Sequence, residues 1–297
     1  MSWQFLAISA PALWALSNLI DSRLLEERVT EPMTLVVVTG VFGGLPGIFV
    51  LATGNLAWPG LPVVVLATLT GVVALLAYLP YFRALDLAPT AAVLLMWNVA
   101  PVLIVVLARV FLHEELRIRE YVAIALLLAS ATAGGAQSSG GRRSWSPALP
   151  WMLLASLLVA TVSVAEKRLF ELTSFSTGLG WMSLATFSTA IVLGVLMSPT
   201  RQALSSGISR TLAAVLVANE CLDVSAATAL SRATSLGPVS LVHAVGGLQP
   251  LFVLVFGATV HFLRPRRYPP MTTAEYVRSV AAVAFAAIGL GLMPSFQ

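Results

Sequence analysis

The sequence predicts an all-α integral membrane protein whose ten transmembrane helices form two inverted five-helix repeats. Three observations predict it: a composition too apolar for water, ten continuous apolar blocks, and a weak internal repeat. Of 297 residues, 58% are hydrophobic and 10% charged, and the mean hydropathy is +0.90. A soluble domain carries about 25% charged residues, so this chain lacks the ions to cover a water-facing surface. Lipid removes the difficulty, because it requires apolar side chains outside as well as inside.

A span needs about 20 mostly apolar residues. Blocks of that order lie near 3–20, 33–53, 62–82, 89–112, 120–136, 148–165, 178–197, 211–229, 238–262 and 276–293. Polar or Gly/Pro punctuation separates them: Asp21-Ser22-Arg23, Gly54-Asn55, His113-Glu114-Glu115, Pro199-Thr200-Arg201 and Arg264-Pro265-Arg266-Arg267. The runs are continuous rather than alternating, which specifies helices and not barrel strands. No cleavable leader is expected, since Met1 to Gln4 carries no Lys or Arg.

The longest polar loop, Gln137 to Ser146, falls near the middle of the chain and prompts a search for a repeat. Tyr81 to Pro89 (YFRALDLAP) aligns with Leu230 to Pro238 (LSRATSLGP), and the same offset of 149 brings Pro101 onto Pro250. At an offset of 145, Asp21 to Glu26 (DSRLLE) aligns with Glu166 to Glu171 (EKRLFE). Residues 1–136 and 148–297 are therefore expected to be five-helix repeats joined by 137–147. An odd number of spans per repeat inserts the second half upside down. Such inverted repeats recur in secondary transporters, with the binding site where the halves meet near the midplane.

Several function classes fall away. The bases, 16 Arg and one Lys, are scattered between apolar blocks rather than gathered into a stripe, so nucleic acid is not an expected partner. Cys221 is the single cysteine, which excludes an internal disulfide and a thiolate cluster. The three His are dispersed and no phosphate-binding G-x-x-x-x-G-K loop occurs, so no metal, no cofactor and no enzyme chemistry is expected.

Glu220 and Asp223 carry the sharpest signal, because they interrupt the apolar block from Thr211 to Ala229. An Asp at that depth disfavours insertion by about 2.5–3.5 kcal/mol. Spaced i, i+3, the two acids share a helix face, with Asn219 on an adjoining one. Close carboxylates in a low dielectric do not both ionise easily, so they are expected to titrate as a unit. Such a pair suits proton coupling or recognition of a cationic substrate. The structural alternative is neutralisation by Lys167, Arg83 or Arg232, or a hydrogen bond from Asp223 to a neighbouring helix.

Trp97, Asn98 and Pro101 lie within the fourth block, and His243, Gln249 and Pro250 within the ninth. Each Pro removes a backbone donor and frees a carbonyl one turn earlier, so Trp97, Asn98, His243 and Gln249 are candidates for lining a cavity. The bland reading is a kink plus an interhelical hydrogen bond of roughly 0.6 kcal/mol. Trp14, Asn18 and Asp21 at the end of the first block, and Glu166 and Lys167 at the equivalent end of the sixth, are candidate gate residues. Interfacial anchoring explains them equally well. Tyr78 and Tyr81, near the end of the third block, carry the same two readings.

At these residues the sequence resembles the drug/metabolite transporter superfamily, in its EamA-type ten-helix branch. The resemblance rests on Ala12-Leu13-Trp14 with Asn18, Tyr81-Phe82-x-Ala84-Leu85 with Pro89, and Pro101 followed by Phe111-Leu112-His113-Glu114-Glu115. In the second half it rests on Gly237-Pro238-Val239-Ser240-Leu241 and Gln249-Pro250-Leu251-Phe252. After the ninth block, Phe262-Leu263-Arg264-Pro265 stands where the family pattern is acidic. The resemblance implies a multi-pass carrier of the bacterial inner membrane, with helices around a central cavity and both termini in the cytoplasm.

Charge disagrees with that last implication. Loops after even-numbered blocks hold about six Lys and Arg and the remaining loops and flanks about eleven, which places both termini outside. The expected function is secondary active transport of a small polar metabolite, an amino acid or other organic ion, with a proton as candidate coupling ion. Flipping of a lipid-linked headgroup is the alternative, and a sensor or assembly subunit without transport is a third reading.

Overall fold

A computed structural model describes residues 2–26, 32–88, 93, 96–135, 147–196, 210–249, 251–253, 255–256, 259 and 273–293. The linker 137–146 and the Arg264–Arg267 cluster lie outside these, as do the side chains of Asn18 and Asp21. Among the described residues the regular elements are all helical.

In chain order they are α1 (Trp3–Glu26), α2 (Pro32–Gly43), α3 (Leu45–Ala52), α4 (Leu61–Leu76), α5 (Tyr78–Leu87), α6 (Val99–Phe111) and α7 (Ile118–Gly135). Then come α8 (Leu149–Leu172), α9 (Phe175–Leu196), α10 (Arg210–Leu236), α11 (Val239–Val245), a 3₁₀ turn at Gly246–Leu248 and α12 (Thr273–Leu292). Five helical stretches are long and apolar enough to cross a bilayer: Thr34–Ala52, Leu61–Ala84, Leu149–Leu172, Phe175–Leu196 and Ala213–Leu236. The first joins α2 to α3 and the second joins α4 to α5, each through a short irregularity in the helix. Large apolar side chains such as Phe49, Leu61, Phe111 and Leu196 point outward, as a lipid-facing surface requires.

The packing is close. α1 runs along α10, α7 along α12, and α9 sits against α2, α3 and α4, while α8 contacts α4, α5 and α6. Small residues make these approaches, because lipid-embedded helices associate through van der Waals contact rather than hydrophobic burial. A Cβ on Gly47 would stand 2.8 Å from the Gly180 carbonyl oxygen and 2.9 Å from the Leu184 nitrogen. A Cβ on Gly71 would run into the Met182 carbonyl oxygen. α9 is therefore seated on two backbones that tolerate no side chain at the contact.

One end of the bundle collects several loops. Trp181 Nε1 donates to the Ala57 carbonyl after α3, and Arg232 near the end of α10 stacks on Phe175 at the start of α9. Trp3 at the start of α1 lies against Gly237, where an added Cβ would be 2.6 Å from its Cδ2. The loop after α6 reaches the same place through Glu114, which hydrogen-bonds the start of α11.

Candidate functional site

α10 carries the acids into the core of the bundle. Asp223 lies within one turn of the middle of Ala213–Leu236, and Glu220 one turn before it. Asn219 and Glu220 are both 4% exposed, and Asp223 is half-buried. The helix forms there because every backbone group is satisfied internally, leaving the side chains alone to find partners.

Those partners come from the first two helical segments. Ser17 Oγ on α1 donates to Asn219 Oδ1 at 2.9 Å. Thr39 Oγ1 on α2 donates to Glu220 Oε1 at 3.2 Å. An aromatic group approaches from α5: Tyr78 lies within electrostatic range of Asp223, Glu220 and Tyr81. Tyr81 packs edge-on against Trp97 at 5.1 Å, and Tyr78 and Phe82 stack at 6.1 Å. Two acids, an amide, two hydroxyls and a tyrosine thus come together near the middle of α10, with groups from α1, α2 and α5 facing it. Chemically this set can accept hydrogen bonds from an ammonium or carry a proton.

The three bases weighed as neutralisers of the acids are engaged elsewhere. Arg83 pairs with Asp86 at 3.6 Å. Arg232 lies over the Phe175 ring and donates to Ser235 Oγ at 3.4 Å. Lys167 Nζ donates to the carbonyls of Thr234 at 3.1 Å and Gly237 at 2.9 Å.

Residues 1–133 match the family model described as the EamA-like transporter family. The likeness covers 133 of the 297 residues. A protein of known crystal structure matches with a TM-score of 0.73 and 20% identity, covering 98% of this chain and 99% of that one. At that identity the likeness is one of fold. It is one of 29 matching chains of solved structures. No curated protein matches.

The stretch that matches the family model supplies Ser17, Thr39 and Tyr78 to the acid cluster, α10 supplies the acids, and Trp97 packs on Tyr81. The other expected residues are placed as follows. Asn98 is the residue before α6 and makes no side-chain cap there. His243 sits on α11, and its Nε2 is buried with no hydrogen-bond partner among the described residues. Gln249 follows the 3₁₀ turn and is half-buried, as is Trp14 on α1. Asn18 and Asp21 belong to α1 by backbone, their side chains being outside the described set.

Glu166 and Lys167 do not join the acid cluster. Both dock on the last turns of α10, Lys167 through the two carbonyls and Glu166 through Ser231. Ser231 is 11 residues beyond Glu220, which is about 16 Å along a helix rising 1.5 Å per residue. Glu166 is 7% exposed, and its Oε1 lacks a hydrogen-bond partner among the described residues.

Sequence reasoning missed Ser17 and Thr39. Hydroxyls inside an apolar run carry little hydropathy signal, and the available clue was the helical spacing that puts them on the inner face. It also missed the role of Glu114, quoted only as part of a motif. Its carboxylate accepts from the backbone of Val239 at 3.1 Å and Ser240 at 3.3 Å, at the start of α11.

Proposed function

We propose that the chain is a secondary carrier of the bacterial inner membrane, moving a small polar metabolite by alternating access, with Glu220 as its proton or cation site. An amino acid or other organic ion is the substrate class that fits an acid, an amide and hydroxyls at mid-depth. The observation that carries this reading is Glu220, buried in the middle of a membrane-length helix and held by Thr39 from the EamA-like half. Intramembrane acids are costly and are retained at ion and substrate paths.

Ten spans in two inverted repeats, 1–136 and 148–297 with 137–147 between, complete the proposal. Local geometry supports the repeat. Arg83 reaches Asp86 at i, i+3 near the end of α5, and Arg232 reaches Ser235 at i, i+3 near the end of α10, at positions 149 residues apart. Ala84 and Ala233, related by the same offset, are both 0% exposed. The packing also supports exchange of the halves. α1 lies on α10 as α8 lies on α4 and α5, while α2–α3 with α9, α6 with α11 and α7 with α12 are each self-equivalent pairs.

The test uses purified chain in liposomes holding a pH-sensitive dye, challenged with a panel of zwitterionic and cationic amino acids. A pH gradient should drive uptake of at least one of them in the parent and not in Glu220→Gln. Gradient-driven uptake of parental size in Glu220→Gln removes the coupling role.

A further inference from the structure

Between α10 and α11 the chain turns through Leu236-Gly237-Pro238, and both helix ends at this corner are met by charge. Pro238 has no N–H, so the first donors of the next helix are Val239 and Ser240, and Glu114 accepts both. The carbonyls of Thr234 and Gly237, at the end of α10, receive the Lys167 ammonium. A carboxylate thus faces a helix N-terminus and an ammonium faces a helix C-terminus, each the favourable sign for the dipole.

The approach of Glu114 is built in. His113 has φ 53°, a left-handed conformation that turns the chain after α6. The Glu114 N–H then returns to the Ala108 carbonyl at 3.2 Å, and the carboxylate is left to cross to α11. Arg109 Nη1 braces the same loop through Glu115 Oε1 at 3.1 Å and the Glu114 carbonyl at 3.5 Å. Trp3 closes over Gly237 from α1. Among the described residues, the titratable and charged groups around Glu114 are Lys167 on α8 and, on its own stretch of chain, Arg109 on α6 with His113 and Glu115 in the loop.

We propose that Glu114 and Lys167 form a clasp that holds this mouth of the carrier shut and releases the α10–α11 corner once per transport cycle. The clasp rests on the alternating-access reading, because an end held by hydrogen bonds between the halves must open for substrate to leave. Glu114 comes from the EamA-like half, whereas α8, α10 and α11 belong to the other. Opening therefore separates the halves at this end and returns the Glu114 carboxyl to water.

Burial raises the Glu114 pKa above its ordinary 4.5, although Ser240, Val239 and Lys167 pull it down. The closed state then binds the proton more tightly than the open, solvated state. Acid favours closure, and opening releases a proton, at pH above the ordinary carboxyl value.

The experiment needs no substrate. Cys221 is the single cysteine, so Cys221→Ser with Ser240→Cys leaves one thiol at a position 1% exposed in the native chain. The full-length chain in nanodiscs is treated with a charged methanethiosulfonate reagent, and the labelling rate, divided at each pH by that of a free thiol because only the thiolate reacts, is followed from pH 4 to 8. Loss of a charge-assisted contact predicts that Glu114→Ala and Lys167→Met each raise the rate by about 10- to 100-fold. Glu114→Gln keeps an acceptor and removes the titration, so its rate stays low and loses the pH dependence of the parent.

Unchanged labelling in Glu114→Ala, or an intact pH profile in Glu114→Gln, overturns the clasp. If Glu114→Ala aggregates, the Glu114→Gln profile and Lys167→Met decide. Glu220→Gln separates the two readings: retained coupling there beside fast labelling in Glu114→Ala sinks the coupling role and leaves the clasp standing.

Discussion

Gly71→Ala tests whether backbone contact between α4 and α9 holds the bundle together. The added methyl group would overlap the Met182 carbonyl oxygen and stand 3.1 Å from Ala185 Cβ. Carbon atoms pack best at about 3.5–4.0 Å, and a carbonyl in the middle of a helix cannot swing away, so the two helices must part by on the order of 1 Å. Parting them weakens the bond from Thr186 Oγ1 to the Gly71 carbonyl, now 3.1 Å. Overpacking of this kind costs about 1–3 kcal/mol, and a lost interhelical hydrogen bond adds roughly 0.6. Better helix propensity of Ala returns about 1 kcal/mol at most. The net expectation is a loss of about 1–3 kcal/mol, a fall of several degrees at about 2–4 °C per kcal/mol. The assay heats detergent-solubilised protein and follows the monodisperse fraction by size exclusion. Gly291→Ala is the matched control, since a Cβ there meets nothing within 4 Å and should leave the transition unchanged or slightly higher. A Gly71→Ala protein that melts with the parent refutes the argument that these backbones touch.

The remaining expectations concern the site and its supports. His113→Gly should raise the midpoint slightly, because a left-handed non-glycine residue costs on the order of 1 kcal/mol, whereas His113→Val should lower it. Both are read by the same thermal assay, and equal effects of the two would show that φ is not the constraint. A double-mutant cycle of Ser17→Ala and Asn219→Ala should give a coupling of about 0.6 kcal/mol, with about 1.7 as the upper bound. Strict additivity of the two substitutions would mean that the contact between α1 and α10 contributes nothing.

Helix identity was legible wherever apolar residues ran unbroken, and helix length was not. The sixth block reads as 148–165, yet α8 continues to Leu172, and the eighth reads as 211–229, yet α10 continues to Leu236. Both blocks stop where polar residues begin, because hydropathy scores a side chain without knowing its partner. In the fold those residues find partners: Arg168 pairs with Glu171, Lys167 caps α10, Glu166 meets Ser231 and Arg232 meets Ser235. The interruptions at Gly44 and Ala77 were invisible for the opposite reason, since apolar character runs straight through them. The acids of the candidate site announced themselves by cost alone. Their partners Ser17 and Thr39 did not, since a hydroxyl can return its proton to its own helix and leaves no debt that a sequence reveals.

The two polar sites differ in strength in a way that suits a carrier. At mid-depth, Ser17 and Thr39 each offer one hydroxyl to α10. Neutral interhelical bonds of that kind are worth about 0.6 kcal/mol each, so they can be exchanged for a substrate or for water at little cost. At the corner, four backbone groups are held by one carboxylate and one ammonium. Charge-assisted bonds are worth about 1.5–3 kcal/mol each, and leaving either ion buried without the other is more costly still. On the clasp proposal, the larger barrier to opening lies at this corner rather than at the acids of α10. Specificity and gating are then separable by mutation, because about 16 Å of α10 stands between Glu220 and the turn that Glu166 and Lys167 hold.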